Sequence, residues 1–116
     1  MKKIAIAFAC ASIAGLSAAS DGAVASETGV AQALHSLQRV GGRTCLVDHY
    51  HDGSGNGRTR AAAMNAAVSA WAGFTAWEYG SSWGRYALAN RKTANCTRDS
   101  ASGWNCTISA IPCRGW

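Results

Sequence analysis

Apolar positions in residues 60–79 recur with the 3.6-residue period of an amphipathic helix. Thr59 stands just before this segment, where its hydroxyl can accept a hydrogen bond from a free backbone N–H of the first turn. Gly80 interrupts the pattern at the other end. The pattern therefore predicts one central helix whose inward stripe consists of Met64, Ala67, Val68, Trp71, Phe74 and Thr75.

Residues 43–51 show the two-residue alternation of a strand instead. One face of this strand would carry Cys45, Val47, His49 and His51. Residues 52–57 contain three glycines, which make regular structure entropically costly, so they predict a loop. Residues 26–42 have apolar residues at helical spacing before a Gly-Gly pair and predict a short N-terminal helix. Residues 81–90 predict a second, short helical turn.

The tripeptide Asn-Cys-Thr occurs at residues 95–97 and again at 105–107, within two short arms, 91–98 and 104–110. A hairpin centred on Ala101 would put Cys96 opposite Cys106. The same register sets Asn95 opposite Thr107 and Arg98 opposite Trp104.

Cys45, Cys96, Cys106 and Cys113 allow three disulfide pairings. The hairpin register favours a bond between Cys96 and Cys106, which leaves Cys45 for Cys113 by exclusion. The long-range bond would tie the first strand to the C-terminus.

These elements predict an α+β fold of the order β-α-(α)-β-β, stapled by disulfides. Its central helix would pack on a small, mainly antiparallel sheet built from residues 43–51 and the hairpin 91–110. Residues 43–116 would form a single domain, preceded by the N-terminal segment 26–42. Whether the first strand pairs with the hairpin stays open from sequence alone.

The N-terminus has the pattern of a cleavable export signal. Lys2 and Lys3 precede an apolar stretch from Ile4 to about Leu16, and residues 23–25 read Ala-Val-Ala. About 13 apolar residues fall short of the roughly 20 needed to span a bilayer, and no later segment comes closer. We therefore expect residues 1–25 to be removed and the mature chain, without a membrane span, to be periplasmic or secreted, where disulfides persist.

The net charge of the chain is +5, and loss of the predicted leader lowers it by one. Eight arginines and five tryptophans suit contact with anionic or ring-bearing partners. The leading prediction is a non-catalytic module that binds an anionic cell-envelope component or protein, with no specific nucleic acid. Arg58 and Arg60, beside the expected helix start, are the candidate anion-binding residues.

His49 and His51 would point to the same side of a strand, so both imidazoles can reach one Zn²⁺ or Cu²⁺ ion. Asp52 follows directly and is the candidate third ligand. A metal-binding protein is therefore the first alternative function, and no other cofactor is expected.

A small secreted hydrolase is the second alternative, with His49, His51 and a carboxylate as acid and base. The chain has no G-x-S-x-G motif, and its mature cysteines are better used in pairs. Glu78, between two aromatic residues, is expected to pair with an arginine. We therefore assign no catalytic residue from the sequence.

Several stretches resemble small exported, cysteine-containing proteins of alphaproteobacteria. The similarity covers about residues 43–114, and its most specific parts are CLVDHYHDGSG at 45–55, TAWEYG at 75–80, Cys96, WNC at 104–106 and PCR at 112–114. The resemblance implies an exported, disulfide-containing protein of this organisation. It implies no particular activity or ligand.

Overall fold

The structure, a computed structural model, describes residues 27–99 and 103–116. Its fold is α+β, with one main helix packed on small antiparallel sheets, as the sequence predicts. The elements are α1 (Val30–Leu34), β1 (Leu37–Val40), β2 (Arg43–Leu46), β3 (His51–Gly57), α2 (Arg60–Tyr79), a 3-10 turn (Tyr86–Leu88), β4 (Asn90–Asp99), β5 (Gly103–Ile111) and β6 (Cys113–Arg114). The predicted leader lies outside the described residues.

The strands form two separate three-stranded sheets, in the orders β1-β2-β6 and β3-β5-β4. The strand predicted at 43–51 is therefore divided between them. It ends at Leu46, and the next strand begins only at His51. Between them Asp48 adopts a left-handed φ of 49°, which redirects the chain.

Residues 52–57, predicted as a loop, belong to β3 and pair with β5. The reason is the close approach of α2 to this strand. A Cβ on Gly53, Gly55 or Gly57 would lie 2.4 to 2.6 Å from backbone atoms of α2. Glycine is thus required here by packing, and the composition that indicated a loop reflects a helix lying directly on the strand.

The helix predicted over 26–42 is only five residues long, and β1 follows it. Leu37 and Val40 are partly buried and pack against the core cluster that contains Cys45 and Leu46. Gly41 has a φ of 62° and makes the tight turn from β1 to β2. The three-residue spacing of Leu37 and Val40 indicated a helix, but these residues form a strand because their backbone pairs with β2.

The hairpin and both disulfides are confirmed. β4 and β5 pair with Cys96 opposite Cys106, Asn95 opposite Thr107 and Arg98 opposite Trp104. Disulfides join Cys96 to Cys106 and Cys45 to Cys113. The second bond links β2 to β6 and holds the C-terminus in the first sheet.

Helix α2 begins and ends where the sequence predicts, with the Thr59 side chain accepting from the Ala62 N–H. Its buried face is narrower than the predicted stripe and consists of Ala63, Ala67, Trp71, Thr75 and Tyr79. Phe74, predicted in this stripe, is 48% exposed. Within the described ranges no helix has the length and apolarity needed to cross a membrane.

Candidate functional site: a histidine cluster

All three histidines of the chain meet at the C-terminal end of α2. His35 follows α1, His49 precedes β3, and His51 opens β3. The His35 and His49 rings are 4.3 Å apart, and those of His49 and His51 are 5.1 Å apart. We call these residues, with Glu78 and Tyr79 of α2, the histidine cluster.

Helix α2 fixes the backbone and ring of His51. The indole N–H of Trp71 donates to the His51 carbonyl at 2.9 Å. The His51 Nδ1 lies 2.9 Å from the Thr75 hydroxyl oxygen, and that hydroxyl donates its only hydrogen to the Trp71 carbonyl. Thr75 can therefore only accept from His51, so Nδ1 carries a proton. In the neutral ring, Nε2 is then left with a bare lone pair.

That lone pair faces two groups at hydrogen-bonding distance. The His51 Nε2 lies 3.2 Å from the Nε2 of His49 and 3.2 Å from a carboxylate oxygen of Glu78. A lone pair and a carboxylate oxygen repel each other unless a cation lies between them. A positive charge at His51 Nε2, either a proton or a metal ion, would therefore stabilise the cluster.

Tyr79 connects His49 with His35. Its hydroxyl oxygen lies 2.9 Å from the His49 Nε2 and 3.3 Å from the His35 Nε2. Burial, together with the nearby Glu78 carboxylate, raises the pKa of Tyr79 to about 12. The phenol therefore keeps its proton at neutral pH and acts as a neutral link between the rings.

Burial lowers the pKa of both His49 and His51. For His51 the loss of solvent outweighs the attraction of the Glu78 carboxylate, which acts in the opposite direction. For His49 the charge of His35 adds to the effect of burial. Both rings are thus neutral over a wider pH range than an exposed histidine. The His49 Nε2 is at the same time hydrogen-bonded to the Tyr79 hydroxyl.

The free energy of unfolding of metal-free protein is expected to fall as the pH drops below about 6.5. In the unfolded chain His49 and His51 bind protons there, whereas burial holds their folded pKa lower. Protons then favour the unfolded state, and stability present at pH 7 is lost on acidification. Urea unfolding between about pH 8 and about pH 5 measures this. An equally steep decline in the double variant His49→Asn, His51→Asn would contradict the assignment.

The structure brings together only part of the sequence-predicted site. His49 and His51 are adjacent, but Asp52 is exposed on the opposite side of β3. Arg58 and Arg60 are exposed beside the start of α2, and Arg60 lines an open pocket of about 510 Å³. In residues 27–99 and 103–116, no three or more His, Cys, Asp or Glu side chains are arranged to hold a metal ion.

Sequence reasoning missed the residues of α2 and of the N-terminal segment that contact His49 and His51. Glu78 pairs with His51, whereas an arginine partner is expected from sequence. Thr75 and Tyr79 lie four residues apart on the buried face of α2, a helical spacing that could have indicated their shared direction. His35 carried no such signal, because its segment is predicted as a peripheral helix.

No protein-family model matches this chain, and neither a curated protein nor a solved structure matches it significantly. The functional argument therefore rests on the geometry of the histidine cluster.

Proposed function

We propose that this protein binds one divalent transition-metal ion, Zn²⁺ or Cu²⁺, at the histidine cluster. The observation that carries the proposal is the 3.2 Å separation of the His49 and His51 Nε2 atoms. Two nitrogens bound at about 2.0–2.1 Å subtend an angle of about 100° at a metal when they are this far apart. That angle suits tetrahedral Zn²⁺ and approaches the angle of tetragonal Cu²⁺.

The surroundings of His51 support the same proposal. Thr75 holds the ring in the tautomer that leaves Nε2 bare, as a hydrogen-bonded outer group does for a metal-ligating histidine. A metal ion at this nitrogen would also relieve the contact between its lone pair and the Glu78 carboxylate. The positive charge that stabilises the cluster would then be the bound metal.

Glu78 replaces Asp52 as the proposed carboxylate ligand. Its side chain is 32% exposed, so it can reorient towards an ion between the two histidines, and water would complete the shell. The proposal therefore requires side-chain movements on binding, because Glu78 must turn towards the ion and the His49 Nε2 must give up its hydrogen bond with the Tyr79 hydroxyl.

Export into an oxidising compartment is the second part of the proposal. The two disulfides are typical of exported proteins, and the leader pattern supports a periplasmic or secreted location. The anionic envelope partner predicted from Arg58 and Arg60 stays a prediction.

Protein prepared without a His-tag and stripped with EDTA is expected to bind one equivalent of Zn²⁺ or Cu²⁺ in a calorimetric titration. Alanine at both His49 and His51 should abolish this binding. Glu78→Gln should weaken it by about tenfold or more, because loss of a ligand's charge should cost at least as much as loss of an outer group of a metal site. The matched control is Asp52→Ala, which should leave the affinity unchanged, because that side chain points away from the cluster.

Electron paramagnetic resonance of the Cu²⁺ form supplies a second readout, with hyperfine coupling to at least two imidazole nitrogens expected. Circular dichroism and thermal unfolding establish that each variant is folded. The proposal fails if folded wild-type protein binds neither ion, or if the double histidine variant binds as well as wild type.

A further inference from the structure

Strand β4 has one edge that pairs with β5 and one that joins no other strand among the residues that the structure describes. The pairing with β5 is irregular only between Asn90 and Thr93, and it continues residue by residue from Thr93 to Asp99. Between Thr93 and Arg98 the backbone presents its remaining N–H and C=O groups outward. A regular unpaired edge of this length is a template for an added strand.

A pocket adjoins this edge on the side that faces α2. The helix packs chiefly on β3 and β5, and β4 extends beyond it. The resulting open space of about 510 Å³ is lined by Arg60, Ala61, Met64, Ala94 and Cys96. Ala94 and Cys96 face the helix side because they pair with Ile108 and Cys106, which are buried there.

The position of the pocket matches the side chains of an added strand. Such a strand would lie about 4.8 Å from β4, with every second side chain projecting to the helix side. A side chain next to Ala94 and Cys96 would therefore enter the pocket, whose walls are mostly apolar apart from Arg60.

The charges around the pocket favour an acidic occupant. Arg60 lines it, and Arg98 lies two residues beyond Cys96 on the same side of β4. Both arginines are exposed. Carboxylates two residues before and after a buried apolar side chain would lie on the helix side of the added strand, within reach of these guanidinium groups.

We propose that the free edge of β4 binds an extended acidic peptide segment, which adds a fourth strand to the sheet and places an apolar side chain in the pocket beside Arg60. Backbone hydrogen bonds between β4 and the peptide would provide the affinity. The pocket and the two arginines would determine which peptide sequences bind. This interaction is independent of metal binding at the histidine cluster.

The probe is a fluorescein-labelled peptide, Thr-Glu-Thr-Leu-Thr-Glu-Thr, whose leucine and two glutamates share one face. Fluorescence polarisation with the full mature chain should show saturable binding. Amide shifts in nuclear magnetic resonance spectra should concentrate in residues 93–98. A peptide with lysine in place of glutamate, and one N-methylated at both leucine and the threonine after it, should bind at least about tenfold more weakly, a difference of about 1.4 kcal/mol.

Charge reversal on the protein provides the matched pair of variants. Arg60→Glu should weaken binding by at least about tenfold. Arg58→Glu, an equal change of charge outside the pocket lining, should change it by less than about threefold. Both side chains are exposed, so both variants should fold, and thermal unfolding tests this.

The proposal is overturned if folded wild-type protein does not bind the peptide, if the two arginine variants lose binding equally, or if the lysine peptide or the N-methylated peptide binds as well as the original one. Sedimentation showing a dimer that the acidic peptide does not dissociate would assign the edge to a second copy and would also overturn it. Metal-stripped protein should bind the peptide as well as metal-loaded protein does.

Discussion

Replacing Gly55 with alanine is expected to destabilise the protein by about 3 kcal/mol or more, or to prevent folding. A methyl group there would lie 2.4 Å from the Ala67 nitrogen and 2.5 Å from the Ala66 Cβ. The first of these contacts is with helix backbone, which cannot move aside as a side chain can. Strand β3 and α2 would have to separate. In open surroundings the same substitution is mildly stabilising, because it restricts the unfolded chain.

Urea unfolding at neutral pH measures this effect. Gly42→Ala is the matched control, since a Cβ at Gly42 meets nothing within 4 Å. It should change the free energy of unfolding by less than about 1 kcal/mol. A Gly55→Ala protein as stable as wild type would contradict the packing of α2 directly on the strand.

The same contact also positions the histidine cluster. A Cβ on Gly53 would lie 2.8 Å from the Trp71 Cβ, and Trp71 donates to the His51 carbonyl. Close approach of helix and strand thus brings His51 to within reach of Thr75 and Glu78. We therefore expect Gly53→Ala to disturb the contacts of His51 with Thr75 and Glu78 even in metal-free protein.

Removal of the Cys45–Cys113 disulfide is expected to cost about 4 kcal/mol, and removal of the Cys96–Cys106 disulfide about 3 kcal/mol. The bonds close loops with sequence separations of 68 and 10 residues, and the longer loop restricts the unfolded chain more. Alanine at both cysteines of each pair tests this ranking by thermal or urea unfolding.

The two disulfides differ in burial as well as in the length of the loop that each closes. Cys45 and Cys113 are fully buried between two strands of the first sheet, whereas Cys96 is partly exposed. Loss of the long-range bond should also release β6 and the C-terminus, visible as faster amide exchange in residues 113–116. A larger loss from the hairpin disulfide would contradict the expected order.

Local pattern predicted the elements whose interactions are close in sequence. The helical period and the Thr59 cap marked α2, and the repeated Asn-Cys-Thr tripeptide gave the register of β4 and β5. The Cys96–Cys106 disulfide followed from that register. For these elements the information lies within a few turns of helix or across one hairpin, whereas the Cys45–Cys113 bond, with a separation of 68 residues, was favoured only by exclusion.

The histidine cluster could be predicted only in part. His49 and His51 are two residues apart, so their proximity follows from local geometry. His35 and Tyr79, by contrast, are 44 residues apart in sequence. Nothing in the pattern of either segment indicates that the turn after α1 meets the end of α2.

By itself, then, the sequence determined the main helix, the hairpin with its register and the disulfide across it, and the α+β class, because short-range periodicity and pairing specify them. The tertiary structure decided that a glycine-rich segment is a strand, that the predicted first strand is divided between two sheets, and which side chains surround His51. Those outcomes depend on long-range packing, in which a helix rich in alanine lies directly on a strand whose facing residues 53, 55 and 57 are glycines. That packing also sets the distances on which the proposed metal site depends.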